Sequence, residues 1–349
     1  MKPQANSIKK PRSFEFHLPN QSALFKVTSP RKLAKVLNRT ETFINNILQS
    51  EENYREFTLL EELNPFSQKR KKARLVQTPC SEMRSLHQRL LKLLQRIQYP
   101  DYAHAGVKKR SYRSNAQAHQ HSKEVATFDL KDYYGSVKSH HVYDFFLNHL
   151  KCAKDVSGIL ARLSTHRNCV PTGSPLSPLL ALHSSLTMFN DLQSLANKYG
   201  LIFTCYVDDI TFSGNSIPSS LEREAISIVR RYGHRINKGK TRVFREHQPK
   251  HVTGTIITNG KITVPYARMI TVRRLQAAID GKIDNFGFTE FKLREKLAGV
   301  LNEASYLDPK FQSKALIARG NLKPGSSPAP LSPSRKAKLP RAAQQPTPS

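Results

Sequence analysis

The chain of 349 residues is short of acidic side chains, of cysteine and of long apolar runs. Its 26 Asp+Glu face 56 Lys+Arg, which gives a formal net charge of +30 and a pI of about 10.2. A surplus of that size calls for a polyanionic partner, because each Lys or Arg set against a phosphate releases counterions and gains affinity. A basic protein of the membrane surface would need an amphipathic anchor or a lipidation signal, and neither is visible. No stretch approaches about 18 apolar residues, which excludes a membrane-spanning helix. The first 20 residues are basic and lack a continuous apolar run, so no signal peptide is expected. The four cysteines, Cys80, Cys152, Cys169 and Cys205, lie too far apart for a zinc knuckle. They read as reduced, mostly buried thiols of a cytoplasmic protein. His119, His121, His140 and His141 carry metal-ligand chemistry but have no matching second pair, so no zinc site is expected.

What is present is organised in blocks. Ser29-Pro30, followed by Leu33, Val36, Leu37, Phe43, Ile44, Ile47 and Leu48, predicts one or two capped amphipathic helices. A cationic run from Lys69 to Arg74 reads as a loop or a phosphate-contacting edge. Ser81 is expected to cap a helix whose apolar face is Met83, Leu86, Leu90, Leu93, Leu94 and Ile97. A second cluster, Lys108 to Arg113, precedes a buried strand from Val125 to Leu130. Helices are expected over residues 139–165, 176–198 and 218–232, with a strand near Thr241 to Phe244. Val252 to Val264 reads as a hairpin turning at Asn259-Gly260. Residues 270–320 are again helical and basic. From Asn321 the last 29 residues hold seven prolines, five basic residues and no acid, the composition of a disordered tail.

The segment Phe203-Thr-Cys-Tyr-Val-Asp-Asp-Ile-Thr-Phe212 concentrates the chemistry. Leu201 to Val207 and Ile210 to Phe212 are rich in β-branched and aromatic residues and read as hairpin arms around Asp208-Asp209. A solvated acidic turn is the ordinary explanation of such a pair. Yet two-residue turns favour Asn-Gly or Asp-Gly, and adjacent anions repel. A divalent cation such as Mg²⁺, which takes carboxylate oxygens together with water and phosphate, would justify both. A third carboxylate, Asp129, ends the strand before Leu130, about 80 residues upstream. Between them lies the loop Val170-Pro-Thr-Gly-Ser-Pro-Leu-Ser-Pro178. Strand with Asp, glycine loop and helix, then Asp-Asp hairpin is the order of a polymerase palm, in which three carboxylates serve two metal ions roughly 4 Å apart.

Gly239-Lys240-Thr241 ends like a phosphate-binding loop. Gly233 is one residue too far back, because His234 holds the place the motif requires, and the NTPase reading fails.

The ordered set Asp129, Pro171-Thr172-Gly173, Tyr206-Val207-Asp208-Asp209, Asn237-Lys-Gly-Lys240-Thr241 and Val252-Thr253-Gly254 resembles a reverse transcriptase over residues 70 to 320. Asn115-Ala-Gln-Ala-His119 and Val252-Thr253-Gly254 further resemble elements of bacterial retron reverse transcriptases. The resemblance implies an α+β right-hand polymerase, with an antiparallel palm sheet, an Asp-Asp hairpin and a small helical thumb. Residues 1–28 are then a basic N-terminal segment, 29–250 fingers and palm, 251–320 an RNA-binding thumb and 321–349 the Pro-rich tail.

It further implies that Asp129, Asp208 and Asp209 bind two Mg²⁺ ions and that Lys240 protonates pyrophosphate. Arg74 and Arg110 would contact the incoming dNTP, in a site shared with Tyr134, Thr172 and Gly173, and Tyr134 would exclude a ribose 2′-OH. Asn115, His119, Val252, Thr253, Gly254 and the basic residues Arg273, Arg274, Lys282, Lys292, Arg294 and Lys296 would bind RNA. Thr172 stands where the family usually has Gln, and Lys109 where it has Gly before the fingers Arg. The implied partners are a cognate non-coding RNA serving as template and primer, its DNA product, dNTPs and a retron effector protein, with no membrane. Other bacterial reverse transcriptases, of group II intron, diversity-generating or abortive-infection type, share most of the set. A catalytically idle RNA-binding scaffold on the same fold is the alternative from another class.

Overall fold

The structure, a computed structural model, describes residues 16–322. The segment before residue 16 and the Pro-rich tail from residue 323 onward lie outside the described residues. In chain order the helices are α1 (Pro30–Leu37), α2 (Glu41–Gln49), α3 (Ser81–Leu94), α4 (Tyr112–Ala118), α5 (Tyr133–Ser136), α6 (Ser139–Asp144), α7 (Lys154–Ser164), α8 (Ser177–Ser184), α9 (Leu186–Lys198), α10 (Leu221–Arg231), α11 (Tyr266–Ile279), α12 (Glu290–Leu307) and α13 (Gln312–Gly320). The strands are β1 (Tyr54–Leu59), β2 (Glu62–Leu63), β3 (Arg70–Lys71), β4 (Arg74–Pro79), β5 (Glu124–Asp129), β6 (Ile202–Tyr206), β7 (Asp209–Gly214), β8 (Arg242–Phe244), β9 (Lys250–Val252), β10 (Thr255–Thr258) and β11 (Lys261–Thr263).

Local chemistry accounts for several boundaries. Ser29 accepts from the amide of Lys32 and Pro30 opens α1, while Thr40 caps α2 by accepting from Phe43. The residue before α3 is Cys80, so Ser81 is its first helical residue rather than its cap. Two long helices expected from periodicity are interrupted. Phe145–His149 forms one π turn after α6, which lets the adjacent Phe145 and Phe146 both enter the core. Ser185, at φ −111° and ψ 11°, separates α8 from α9.

By compactness the chain divides in two. The first unit is the chain up to Leu63 with Arg70–Thr263, and the second is Asn64–Lys69 with the chain from Val264 onward. The division thus falls at residue 263 rather than 250. The physical reason is that the sheet β11-β10-β9 shares a small core with the first unit, where Val252 and Ile257 meet Ala116 of α4 and Val125 of β5.

At the centre of the first unit is an antiparallel sheet of order β6-β7-β5-β8. Alternation along the strands gives it two chemically different faces. Phe203, Cys205, Ile210, Phe212, Ala126 and Phe128 share one face and join the main core beneath the helices. Thr204, Tyr206, Asp209, Thr211, Ser213, Val125, Thr127 and Asp129 share the other. The second unit is built from α11, α12 and α13 around Leu275, Leu293, Leu297, Leu301 and Phe311, with Ala278, Ala298, Ala304, Ala315 and Ala318 between them. Phe66, from the 64–69 segment, is 2% exposed in that core.

Candidate active site

The polar face of the sheet ends in acid. Asp129, the last residue of β5, is paired in register with Asp209, the first of β7. Tyr206 pairs with Asp209 across the β6–β7 hairpin, so the two-residue turn is Val207-Asp208. The expected Asp208-Asp209 turn is therefore shifted by one residue, and Asp209 belongs to the ladder. Val207 holds φ +59°, in the left-handed region. A β-branched residue there is a genuine outlier, because its Cβ crowds the backbone. The Leu130 amide donates to the Asp208 carbonyl at 2.9 Å and anchors the turn to the end of β5.

Three carboxylates at one sheet end set up the electrostatics. Burial pushes the Asp209 carboxyl up to about 6, with further upward pressure from Asp208 and Asp129. Burial and Asp129 also push Asp208 up. Lys240 acts against both and donates through Nζ to Asp129 Oδ2 at 2.9 Å. That bond raises the pKa of Lys240, whose side chain is 63% exposed. Asn237, to which the sequence assigned no role, donates its backbone amide to the Asp129 carbonyl at 2.8 Å and Nδ2 to Oδ1 at 3.4 Å. Its only sequence signal was its place in the Asn-Lys-Gly-Lys segment.

The donors fit a hard divalent cation in kind, being carboxylate oxygens only. Among the described residues, however, no three His, Cys, Asp or Glu side chains converge closely enough to cage an ion.

The remaining expected residues separate into those near this end and those spent elsewhere. Tyr134 is half-buried, and burial followed by the nearby Asp208 raises its hydroxyl pKa to about 12. The Thr172 hydroxyl donates to the Leu75 carbonyl and accepts from the Gln77 amide. Gly173 donates its amide to the Gln77 carbonyl, and a Cβ at Gly173 would lie 2.7 Å from that oxygen, so the close approach to β4 requires glycine. Arg74 is exposed on β4 opposite Leu59 and makes no ion pair among the described residues.

Arg110 departs from its expected nucleotide-binding role. Its Nη1 donates to the carbonyls of Pro100 and Ala103, both at 2.7 Å, and its Nη2 to Asp101 Oδ1 at 3.2 Å. The guanidinium is committed to a loop. Lys109, at the expected glycine, holds φ +68°, which supplies the physical reason glycine suits that place.

The expected RNA contacts also need correction. Asn115, His119 and Val252 are each 0% exposed and cannot meet RNA as folded. Asn115 Nδ2 donates to Thr253 Oγ1 at 2.7 Å, so the two segments of the retron resemblance contact each other. Thr253 and Gly254 form the β9–β10 turn, with φ +45° and +75°. In the second unit, Lys292 pairs with Glu295, Arg294 with Glu290 and Lys282 with Asp280. Lys296 lies 4.6 Å from the centre of the Phe288 ring and Arg274 donates to the Pro65 carbonyl. Arg273 is exposed and without an ion pair among the described residues.

Comparison with known proteins places these observations. The family described as reverse transcriptase (RNA-dependent DNA polymerase) matches residues 66–257. The retron Se72 reverse transcriptase of Salmonella heidelberg (strain 579083-10) is 31% identical over 58% of this chain and 56% of its own length. The retron Ec86 reverse transcriptase of Escherichia coli is 27% identical over 56% of this chain and 61% of its own. The retron Mx65 reverse transcriptase of Myxococcus xanthus is 32% identical over 53% of this chain and 48% of its own. The chain thus spans about half to three-fifths of the length of these relatives. Among the described residues no helix is long and apolar enough to cross a membrane.

Proposed function

The chain belongs to the reverse transcriptase (RNA-dependent DNA polymerase) family, and we propose that it is an RNA-directed DNA polymerase of the retron type. It copies a cognate structured non-coding RNA, using the 2′-OH of an internal guanosine as primer, into branched multicopy single-stranded DNA. It acts beside an effector protein in anti-phage defence. The observation that carries the polymerase reading is the register Asp129↔Asp209 with Asp208 in the adjoining turn. Like charges directly opposite one another destabilise a sheet, so their joint placement calls for a task that uses them.

Asp129, Asp208 and Asp209 would hold two Mg²⁺ ions, whose chemistry is to lower the pKa of the primer hydroxyl and to neutralise the triphosphate. Lys240, beside Asp129, is the proton donor to departing pyrophosphate. The exposed Arg74 guanidinium binds triphosphate oxygens in a bidentate fashion. Tyr134 excludes a ribose 2′-OH, and the Thr172-Gly173 loop floors the nucleotide site. The first unit, from residue 29 to residue 263 without residues 64–69, acts as fingers and palm. The helices beyond serve as a thumb that binds RNA by shape and phosphate, with the exposed Arg273 among its cations.

The test is to purify the protein from cells carrying its native locus and to digest bound nucleic acid separately with RNase and DNase. A short DNA covalently joined to RNA is expected, and it should be absent from the Asp208→Asn/Asp209→Asn variant. RNA alone from both proteins overturns the reading and leaves a binding scaffold.

A further inference from the structure

His119 sits where a buried polar ring is least expected, against the polar face of the central sheet. It is 0% exposed, and burial pushes its pKa down to about 3, so the imidazole is neutral. Its two nitrogens reach two different strands. Nε2 is 2.7 Å from Thr204 Oγ1 on β6, and Nδ1 is 2.7 Å from Ser213 Oγ on β7. Thr204 pairs with Thr211, so Thr204 and Ser213 are diagonal neighbours across the hairpin, roughly 7 Å apart and within the span of one imidazole with two hydrogen bonds. Thr204 and Ser213 share their face with Asp209, and Thr204 lies two residues from Tyr206, the partner of Asp209.

The hairpin has reasons to need such a fastening. β6 pairs within the sheet only with β7, and its outer edge is held at one residue alone, where Cys205 bonds to Tyr102 and His104. Its turn carries a left-handed valine and the carboxylates repel each other. A one-residue slip of β6 would send Thr204 to the opposite face and break its bond to the imidazole, while Ser213 stays in place on β7. The ring is itself held from behind. Asn115 on α4 donates to Thr253, and Gln120 Nε2 donates to the Gly260 carbonyl at 2.6 Å, so the β9–β11 sheet backs the helix that delivers His119.

We propose that His119 is a positioning residue for polymerisation: by bridging Thr204 and Ser213 it fixes the pairing of β6 with β7, and so the place at which the turn presents Asp208 and Asp209. This rests on the polymerase reading above. It also reassigns the Asn115–His119 segment from RNA contact to support of the catalytic hairpin.

The experiment compares wild type, Asp208→Asn, His119→Leu and the triple variant His119→Leu/Thr204→Val/Ser213→Ala on poly(rA)·oligo(dT) with dTTP. Rates are taken per active site, counted by burst amplitude, and melting temperature and amide exchange across residues 202–214 are measured in parallel. His119→Leu takes the imidazole partner from the Thr204 hydroxyl and one of two partners from Ser213, whose Oγ also meets Ser122 Oγ at 2.8 Å, and should melt roughly 3–5 °C lower. The triple variant removes the imidazole together with both hydroxyls it bridges, leaving only the part-buried Ser122 hydroxyl, and should recover most of that loss, because removing bonded partners together is nearly neutral. Its kcat should nevertheless stay at least about tenfold below wild type, with KM for dTTP within about threefold, since a misplaced reacting group costs rate. Its 202–214 amides should exchange faster than in wild type. Recovery of kcat together with melting temperature would mean that His119 only fills the core, and the proposal fails. An inactive wild type, or an Asp208→Asn variant as active as wild type, overturns the polymerase reading instead.

Discussion

The β10–β11 and β6–β7 hairpins both turn in two residues, yet they solve the turn in opposite ways. Asn259 and Gly260, at φ +50° and +66°, are residues that enter the left-handed region at little cost, and both central positions use it. Val207 and Asp208 put a β-branched residue at φ +59° and an anion beside it, one residue from a second anion. The first turn is what the sheet wants and the second is what the sheet tolerates. Strain of the second kind persists only where surrounding contacts impose it, and such places cluster at functional sites. The contrast teaches that the chain gives up stability at one end of its central sheet in order to hold three carboxylates there.

The largest break in that contrast comes from Asp209→Asn, which should reduce DNA synthesis by at least about a thousandfold in a primer-extension assay. It should also make the protein more stable. The Asp209 carboxyl titrates at about 6 when folded, chiefly because it is buried. An unfolded Asp titrates near 3.9. Between those values the folded state holds the extra proton, so stability falls as pH rises through this window and stays lower above it. Removing the charge should raise stability at pH 7.5 by roughly 1–2 kcal/mol and flatten the melting temperature between about pH 4 and 6. Wild-type activity should fall as pH drops below about 6, where Asp209 becomes a protonated and poorer cation ligand. An Asp209→Asn protein that melts lower than wild type at pH 7.5 would contradict the account of strain.

Lys240→Leu comes next. Loss of a proton donor should lower the single-turnover rate by about a hundredfold. Stability should fall by roughly 1–2 kcal/mol, because the lysine is exposed but its partner Asp129 is only 13% exposed and loses its compensating charge. Gly260→Ala perturbs the relaxed turn instead. An added methyl meets nothing closer than His121 at 3.8 Å, so the cost is that of the left-handed backbone alone, about 1 kcal/mol in chemical denaturation. Polymerisation per folded molecule should be unchanged.

How much of this was legible beforehand follows the range of the interactions. The Ser29 cap, the Asn259-Gly260 turn and the β5 strand are local, and residues within a few positions announce them. The Asp129, Asp208 and Asp209 set was readable as an ordered pattern, while its register was not, because turn chemistry alone argues against Val207 at positive φ. The strands β1 and β4 escaped notice because β1 is largely exposed and the positions β4 buries are Gln77 and Pro79, neither of which signals a strand. The break at Ser185 has no glycine or proline to signal it. Arg110 and His119 were misjudged for a shared reason: a polar side chain reads as available until its partners are known. For His119 those partners lie 85 and 94 residues away. Conflict between local preference and fold is expected where a chain serves function, and Val207 is the place where it appears here.

The smallest effect should come from Val207→Gly, and it tests the contrast most directly. Glycine removes the crowding of Cβ against the backbone, a relief of about 1–2 kcal/mol for a residue held left-handed. Against this stand the greater freedom of glycine in the unfolded chain, about 0.5–1 kcal/mol, and the loss of the valine methyls packed against the main core. The terms nearly cancel, and denaturation should report a change under about 1 kcal/mol. That near-zero result differs in kind from Gly260→Ala, where no relief offsets the cost. Catalysis should still suffer, because a turn freed from its imposed conformation samples geometries in which Asp208 and Asp209 are out of place. A loss of severalfold in kcat at unchanged stability separates positioning by strain from strain without purpose, and an unchanged kcat would leave the left-handed valine without a role.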